Sequence, residues 1–388
     1  MAAPVVIVGG GQAGLKVAEA LHRAGVEERI VIIGDEPILP YQRPPLSKKY
    51  LLGEVSRDSL RLQQPEYFTR TGIDVVVGRR VEGIDSHTDR IVLDNGESLA
   101  FSSLVLATGS APRLLRMAGA EKAGVHVIRS IADADRLRAD LVGRERVAII
   151  GAGYVGLEAA ASFRSLGLAV SVIEVQDRIL ARVACPAISE FLTRAHVDHG
   201  VAFHRSTRVE GLLGGARVEA VAIAGANPVA ADIVVVAAGG RPNSELAERA
   251  GIACDDGILV DSFGRTSRPR VYAAGDCARF PSVRYGRTLR LESVQNANDQ
   301  ARGVAETIAG RAAPYDPVPW FWSDQYEFKL QMAGLAGPEV SSEVEGSYEK
   351  GALAVTYYQG GTPIAVASIN MPRVYMSVRR QLEAAVPA

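Results

Sequence analysis

Two glycine triplets, each followed at a distance by a carboxylate, are the residues of this 388-residue chain whose types and spacing point most directly to chemistry. In the middle of the chain the apolar run Val147 to Ile150 leads into Gly151, Gly153 and Gly156, and a second apolar run, Ala169 to Ile173, ends at Glu174. This is the spacing of a dinucleotide fingerprint. Gly151 permits the tight turn, Gly153 lets backbone N–H groups approach a pyrophosphate, and Gly156 lets the helix pack closely on the strand. The positive end of the helix dipole then faces the phosphates. A carboxylate at Glu174 accepts both adenosine-ribose hydroxyls and repels a 2′-phosphate, which favours NADH, although Arg182 lies close enough in sequence to admit NADPH. The N-terminus repeats the pattern, with Val5 to Val8, then Gly9, Gly11 and Gly14, then Ile30 to Ile33 followed by Asp35 and Glu36. Two fingerprints imply two bound nucleotides.

Other reactive residue types carry less. Cys185, Cys254 and Cys277 are far apart and contain no C-x-x-C spacing, which fits a reducing cytoplasm and excludes a zinc ribbon. Cys277 reads as a packed, inert thiol. His196 and His199 have a spacing that could place two imidazoles on one helical face, with His204 beyond them. No cysteine lies nearby, and solvated histidines are expected rather than a metal site.

The elements that must position the glycines follow from the pattern around them. Each strand-turn-helix unit is followed by short alternating runs with turn signals, Arg90 to Gly96 in the first half and Arg217 to Ala222 in the second, read as β-meanders. Each half then closes on an apolar strand ending in small residues and a proline: Leu104 to Pro112, and Val234 to Pro242. The chain therefore carries an internal duplication. A later strand, Arg270 to Cys277, reaches Gly275-Asp276 too late to belong to the central unit and is assigned to the first, so the central unit is an insertion. A helix is expected over Ser293 to Ala309, a linker at Pro314, Pro317 and Pro319, and a small α+β domain over the last seventy or so residues.

The expected fold class is α/β: two Rossmann-like dinucleotide-binding domains, one inserted in the other, plus a C-terminal α+β domain. The boundaries are 1–112 with 242–317, 113–241, and 318–388. With 43 Lys plus Arg against 44 Asp plus Glu, no global field draws the chain to nucleic acid or to an anionic membrane. A strand-like run starts just after Met1, with no basic leader and no apolar run of spanning length, so a cytoplasmic, non-membrane protein is expected.

In this order, Gly9-x-Gly11-x-x-Gly14, Ala107-Thr108-Gly109, the central fingerprint, Gly239 to Asn243, and Gly275-Asp276 resemble the two-dinucleotide flavoproteins related to glutathione reductase. Pro40 to Lys48, Glu292 to Ala301, and Pro319 to Gln325 narrow the likeness. They are similar to the NADH-dependent ferredoxin reductases of bacterial oxygenase systems, the putidaredoxin reductase type, and the likeness spans essentially the whole chain. One departure is Gly240, where the family tends to carry a branched apolar residue.

The resemblance implies FAD in the first domain, NADH in the inserted one, and a C-terminal domain over the flavin. Electrons would pass as a hydride from nicotinamide to flavin and then singly to a [2Fe-2S] ferredoxin. Disulfide reductases of the class keep a cysteine pair in the region that here reads Arg43 to Leu52 without cysteine, so thiol chemistry is disfavoured. A rubredoxin or other small-carrier reductase, or a flavin redox sensor of the apoptosis-inducing-factor kind, remains open. Carried over by motif, Lys48 lies beside the flavin and faces Glu158. Gly9, Gly11 and Gly14 cradle the FAD pyrophosphate, Glu36 or Asp35 accepts from the ribose, and Arg43 faces a phosphate or the flavin. Ala107, Thr108 and Gly109 close the strand, Asp276 holds the ribityl or pyrophosphate end, Val294 meets the pyrimidine edge through its backbone, and Glu292 and Ser293 belong to the same FAD set. Trp322 is an aromatic wall or an ordinary core tryptophan. Gly151, Gly153, Tyr154, Gly156, Glu158, Glu174, Arg182 and Gly239 form the NADH set. An arginine-rich run, Arg265, Arg268, Arg270, Arg279, Arg284, Arg287 and Arg290, is either a solvated face or a surface that steers an acidic ferredoxin.

Overall fold

A computed structural model describes residues 2–85, 88–337 and 340–385. In the first part, β1 (Val5–Val8), β2 (Ile30–Gly34) and β4 (Ser103–Leu106) consist almost wholly of branched apolar residues. Such runs suit strands buried on both faces, which is what a parallel sheet between helices demands. The helix α1 (Gln12–Arg23) connects β1 to β2, and β3 (Asp74–Val77) flanks β2. The strands pair in parallel, with Val6 set between Val31 and Leu104.

The central part repeats this plan. Here β5 (Arg146–Ile150), α2 (Tyr154–Ser165), β6 (Ala169–Ile173), α3 (Pro186–Asp198), β7 (Val201–His204) and β8 (Ile233–Val236) form a second parallel sheet, of order β7-β6-β5-β8 with a short strand, Val125–His126, at its edge. A three-stranded antiparallel meander accompanies each sheet. In the second meander the strand expected over Arg217 to Ala222 lies later, at Ala220–Ile223. Gly214 turns the chain at φ +129°, and the Val218 N–H then pairs with the Ala123 carbonyl instead of extending the meander.

After this insertion the chain returns to the first sheet. Strand β9 (Val271–Ala273) pairs in parallel with β4, completing the order β9-β4-β1-β2-β3. At the two crossing points Ser110–Pro112 pairs antiparallel with Gly240–Pro242. Helix α4 (Val294–Ile308), capped by the Ser293 hydroxyl, shares a core with α1 through Ala297, Ala301, Val304, Leu15, Val17 and Leu21.

The last part is a five-stranded antiparallel sheet and a helix: β10 (Trp320–Gln325), β11 (Phe328–Gly334), β12 (Ser341–Ser347), β13 (Ala352–Gln359), β14 (Thr362–Ile369) and α5 (Pro372–Ala384). One face of this sheet has no core of its own. Phe328, Leu330, Leu353, Val355, Ala367 and Ile369 join a single cluster with Ile188, Phe191, Leu192 and Ala195 of α3. The Phe191 ring meets Phe328 and Tyr348 edge to face at 5.1 and 5.0 Å.

Candidate functional site

The two glycine triplets take the same geometry for the same reasons. Gly9 and Gly151 have φ of +125° and +105°, a region that side chains disfavour. A Cβ on Gly14 would lie 1.9 Å from the Gly9 carbonyl oxygen, and one on Gly156 would lie 2.3 Å from that of Gly151, so helix and turn touch there. Around Gly11 and Gly153 a Cβ would meet no protein atom within 4 Å. Those two are the helix N-caps, and neither α1 nor α2 has a side-chain cap or an acidic residue in its first turn. Uncapped amides beside open space are what a pyrophosphate needs.

In front of the first triplet lies a cleft of about 1270 Å³. Gly9, Gly11, Asp35, Glu36, Arg43 and Lys48 line it, with Ala107, Thr108, Gly109, Asp276, Glu292, Ser293, Val294 and Trp322. Gly14 sits beneath its floor against Gly9. Of the second set only Tyr154 and Glu158 line this cleft, while Gly151, Gly153, Gly156, Glu174, Arg182 and Gly239 do not. The structure thus gathers the residues expected for FAD around one cavity and leaves the second glycine triplet outside its lining.

Charges in the cleft are held in place. Arg43 bonds Glu36 Oε1 at 2.6 Å, and the Tyr41 hydroxyl donates to Glu36 Oε2 at 2.7 Å. Asp276 Oδ2 accepts from the Ser110 hydroxyl at 2.9 Å and from Arg129 at 3.2 Å. Thr108 and Asn243 exchange two bonds, each side chain donating to the other's backbone carbonyl, and so tie the two crossing strands together.

At the inner end Lys48 Nζ lies 2.9 Å from Glu158 Oε1, with side chains 17% and 7% exposed. The Ser47 hydroxyl donates to Glu158 Oε2 and the Ser323 hydroxyl to Oε1, both at 2.7 Å. Burial pushes the Glu158 carboxyl above the usual carboxylate range, while Lys48 and the two serines pull it back toward ionisation. One turn away, the Ser162 hydroxyl donates to the Ser47 carbonyl, so α2 grips the Pro44–Ser47 turn twice. The Tyr154 ring packs against Phe321, tilted by 36° with ring centroids 4.4 Å apart, and its hydroxyl donates to Met332 Sδ. In the second fingerprint Glu174 accepts from Ala152 N–H at 2.7 Å and Gln176 N–H at 2.9 Å, which fixes both its oxygens at the end of β6.

The family model described as pyridine nucleotide-disulphide oxidoreductase matches residues 3–301, and the one described as reductase C-terminal matches residues 320–388. This chain belongs to the pyridine nucleotide-disulphide oxidoreductase family. It is 42% identical to a ferredoxin–NAD(P)(+) reductase of a Sphingomonas species, over 98% of this chain and 92% of that one. It is 40% identical to rhodocoxin reductase of Rhodococcus erythropolis, over 99% of this chain and 90% of the other. Among solved structures it superimposes on that of the covalent putidaredoxin reductase–putidaredoxin complex with a TM-score of 0.95 at 36% identity, covering 99% of this chain and 94% of that one.

Although the family name includes disulphide, the three thiols here are free, and none lines the cleft. Lys48 and Ser47 occupy the Arg43 to Leu52 region and carry the inner end of the cleft. Cys277 is wholly buried, which pushes its thiol up. Among the described residues no group of three or more His, Cys, Asp or Glu is placed to hold a metal.

One expectation changes. His196 is not solvated: it is 0% exposed, inside α3, because the C-terminal sheet packs over that helix. Most of the arginine-rich run forms ion pairs or hydrogen bonds at the surface, which leaves both readings of it open. Arg265 faces Asp261, Arg268 and Arg270 share Asp89, Arg279 holds Asp255, Arg290 bridges Asp256 and Glu292, and Arg284 donates to the Leu382 carbonyl. Ser47, Ser323, Phe321, Arg129 and Asn243 escaped the reading of the sequence. Serines and asparagines at strand ends are too common to stand out without their partners.

Proposed function

We infer that this chain is an FAD-dependent ferredoxin reductase, which takes a hydride from NADH and passes single electrons to a [2Fe-2S] ferredoxin of an oxygenase system. The observation that carries this is the buried Lys48–Glu158 pair, which lines the cleft beside Tyr154 of the second fingerprint's helix, in a stretch that holds no thiol. The identities of the relatives, a ferredoxin reductase, rhodocoxin reductase and a reductase in complex with putidaredoxin, support the carrier.

FAD fits the cleft, since a Cβ on Gly11 would meet only open space and an uncapped helix amide terminus faces it. In our assignment Gly9, Gly11 and Gly14 admit the pyrophosphate to that terminus. Glu36, oriented by Arg43 and Tyr41, accepts from the ribose, with Asp35 beside it. Asp276, oriented by Arg129 and Ser110, meets the ribityl or pyrophosphate end. Thr108 and Gly109 shape the wall, Glu292, Ser293 and Val294 supply the edge at the start of α4, and Trp322 forms the aromatic side. Bound there, FAD supplies the exchange between two-electron and one-electron chemistry. Lys48 sets a fixed positive charge at the reacting edge, where negative charge develops, and Glu158 holds that charge in place and orients the nicotinamide. Tyr154 and Phe321 exclude water from the same end.

NADH belongs to the second fingerprint. Gly151, Gly153 and Gly156 admit its pyrophosphate, Gly239 lies beside the turn, and Glu174 keeps lone pairs for both ribose hydroxyls while repelling a 2′-phosphate. Arg182 stands at the rim. We take 1–112 with 242–317 as the FAD domain, 113–241 as the NADH domain and 318–388 as the third. The antiparallel pair Ser110–Pro112 with Gly240–Pro242 at the crossing points supports those limits. Three free thiols support a reducing, cytoplasmic setting, and among the described residues no helix is long and apolar enough to cross a membrane.

The test is anaerobic stopped flow with the FAD-loaded protein. NADH should bleach the flavin, and Lys48→Ala or Glu158→Gln should slow that step about tenfold or more. Wild-type bleaching rates in both variants would overturn the assignment. Reduction of rubredoxin in preference to a [2Fe-2S] ferredoxin would overturn the carrier.

A further inference from the structure

A file of hydrogen bonds runs without a break from Glu158 to the turn between β10 and β11. The Ser323 hydroxyl lies 2.7 Å from Glu158 Oε1, and Gln325 Nε2 lies 3.1 Å from Ser323 Oγ. Beyond them Gln325 Oε1 lies 2.9 Å from His196 Nε2, and the Tyr326 hydroxyl lies 3.1 Å from His196 Nδ1. Ser323, Gln325 and His196 are 0%, 2% and 0% exposed, so no water competes for their bonds. Ser323 and Gln325 occupy alternate positions of β10 and therefore share one face.

The charge on Glu158 sets the direction of every bond in this file. An ionised carboxylate only accepts, so Ser323 must donate its single proton. Ser323 then accepts from the Gln325 amide nitrogen, which turns the amide oxygen toward His196. That oxygen needs a proton on Nε2. Burial holds the imidazole pKa down at about 4, so the ring is neutral and Nδ1 is bare. Nδ1 then accepts from Tyr326. Each group has one arrangement that satisfies all its neighbours, and all of them point toward Glu158.

The end of the file is held in an uncommon conformation. Tyr326 opens the two-residue turn between the paired residues Gln325 and Phe328 at φ +54°, a region that bulky residues rarely visit. Its ring stacks on His199 of the α3 terminus at 3.7 Å and 12°. A turn of this kind is built most easily with asparagine or glycine, and here a tyrosine is kept in it by contacts to α3.

We propose that Ser323, Gln325, His196 and Tyr326 are positioning residues for the hydride-transfer step, holding the Glu158 carboxylate in one orientation against Lys48. This rests on the reading of Lys48 and Glu158 as the reacting end. It makes the packing of α3 on the β10–β11 turn part of the catalytic arrangement, rather than only a fold contact. No side chain of the file beyond Glu158 touches the cleft.

The test uses the full-length, FAD-loaded protein and four variants. Ser323→Ala and Gln325→Leu should slow anaerobic flavin reduction by NADH about tenfold, whereas Ser323→Thr, which keeps the hydroxyl, should stay within about twofold of wild type. Tyr326→Phe keeps the ring stack and removes only the last proton, and should slow reduction about threefold even if Gln325→Leu fails to fold. In all four, reoxidation of dithionite-reduced enzyme by ferricyanide should be unchanged. Nitrogen NMR of the ¹⁵N-histidine-labelled enzyme should show His196 neutral with its proton on Nε2. Wild-type reduction rates in Ser323→Ala and Tyr326→Phe while Glu158→Gln is slow, or a proton on Nδ1, would overturn the proposal. Wild-type rates in Glu158→Gln itself would instead overturn the assignment of the reacting end.

Discussion

Replacing Lys48 with methionine keeps most of the side-chain volume but takes the cation away from a carboxylate that is 6% exposed. Removing one partner of a buried pair typically costs about 3 to 5 kcal/mol, because the other charge is left without compensation. Glu158 has an escape, which is to take a proton. From its ordinary value of 4.5 that costs about 3.4 kcal/mol at pH 7 and about 0.7 kcal/mol at pH 5. The hydroxyls of Ser47 and Ser323 remain to bond it in either state. The penalty of Lys48→Met should therefore be capped near 3 kcal/mol at pH 7 and shrink to about 1 kcal/mol at pH 5. The sign follows from proton counting. Without Lys48 the folded-state pKa of Glu158 stands further above its unfolded value, so the folded variant binds more protons and loses stability as pH rises above 4.5. Urea denaturation of the FAD-loaded wild type and variant at both pH values, followed by circular dichroism, measures the difference. Lys48→Met combined with Glu158→Gln should recover much of the loss at pH 7. A penalty equal at the two pH values, or a double variant no more stable than the single one, would refute the reasoning.

Three further outcomes are expected. Gly156→Ala places a Cβ 2.3 Å from the Gly151 carbonyl, so it should keep its bound flavin and its bleaching by dithionite, yet be reduced by NADH at least about tenfold more slowly. Glu174→Ala should narrow the preference for NADH over NADPH, read as the ratio of kcat/KM values, by about tenfold; an unchanged ratio would remove Glu174 from cofactor choice. Burial pushes the Cys254 thiol to about 11 and the Cys277 thiol upward, so at pH 8 both should resist an aromatic disulfide reagent in the native enzyme and react once it is unfolded. Rapid native labelling of Cys277 would reopen the case for thiol chemistry.

The glycine triplets were legible in the sequence because what they do is local: a turn, an open amide terminus and a helix-strand contact all lie within a few residues. The late strand at Val271–Ala273 was also legible, since its Gly275-Asp276 ending had no place in the central unit, and it does pair with Ser103–Leu106. Partners across domains were not. Nothing near Ser323 in the sequence indicates Glu158, 165 residues away, and nothing near His196 indicates the sheet that buries it. The arginine run could not be resolved from sequence for a related reason. Sequence shows the density of guanidinium groups but not the carboxylates of Asp89, Asp255 and Asp261 that the fold brings to them. The strand expected from Arg217 starts only at Ala220 because an edge contact at Ala123, over ninety residues earlier, competes for the same backbone.

The cluster that joins Phe328, Leu353 and Ile369 to Phe191 and Leu192 bears on how this chain can be cut and recombined. Covalent order makes the last seventy residues look like a detachable module. Their apolar face is completed by a helix of the inserted unit, so a truncation after residue 317 would leave that helix bare. A chimera that exchanges only the nucleotide-binding insertion would set two unrelated surfaces against each other. Pieces that can be traded between relatives should thus be chosen as the insertion together with the tail, two segments far apart in the chain that share one interior.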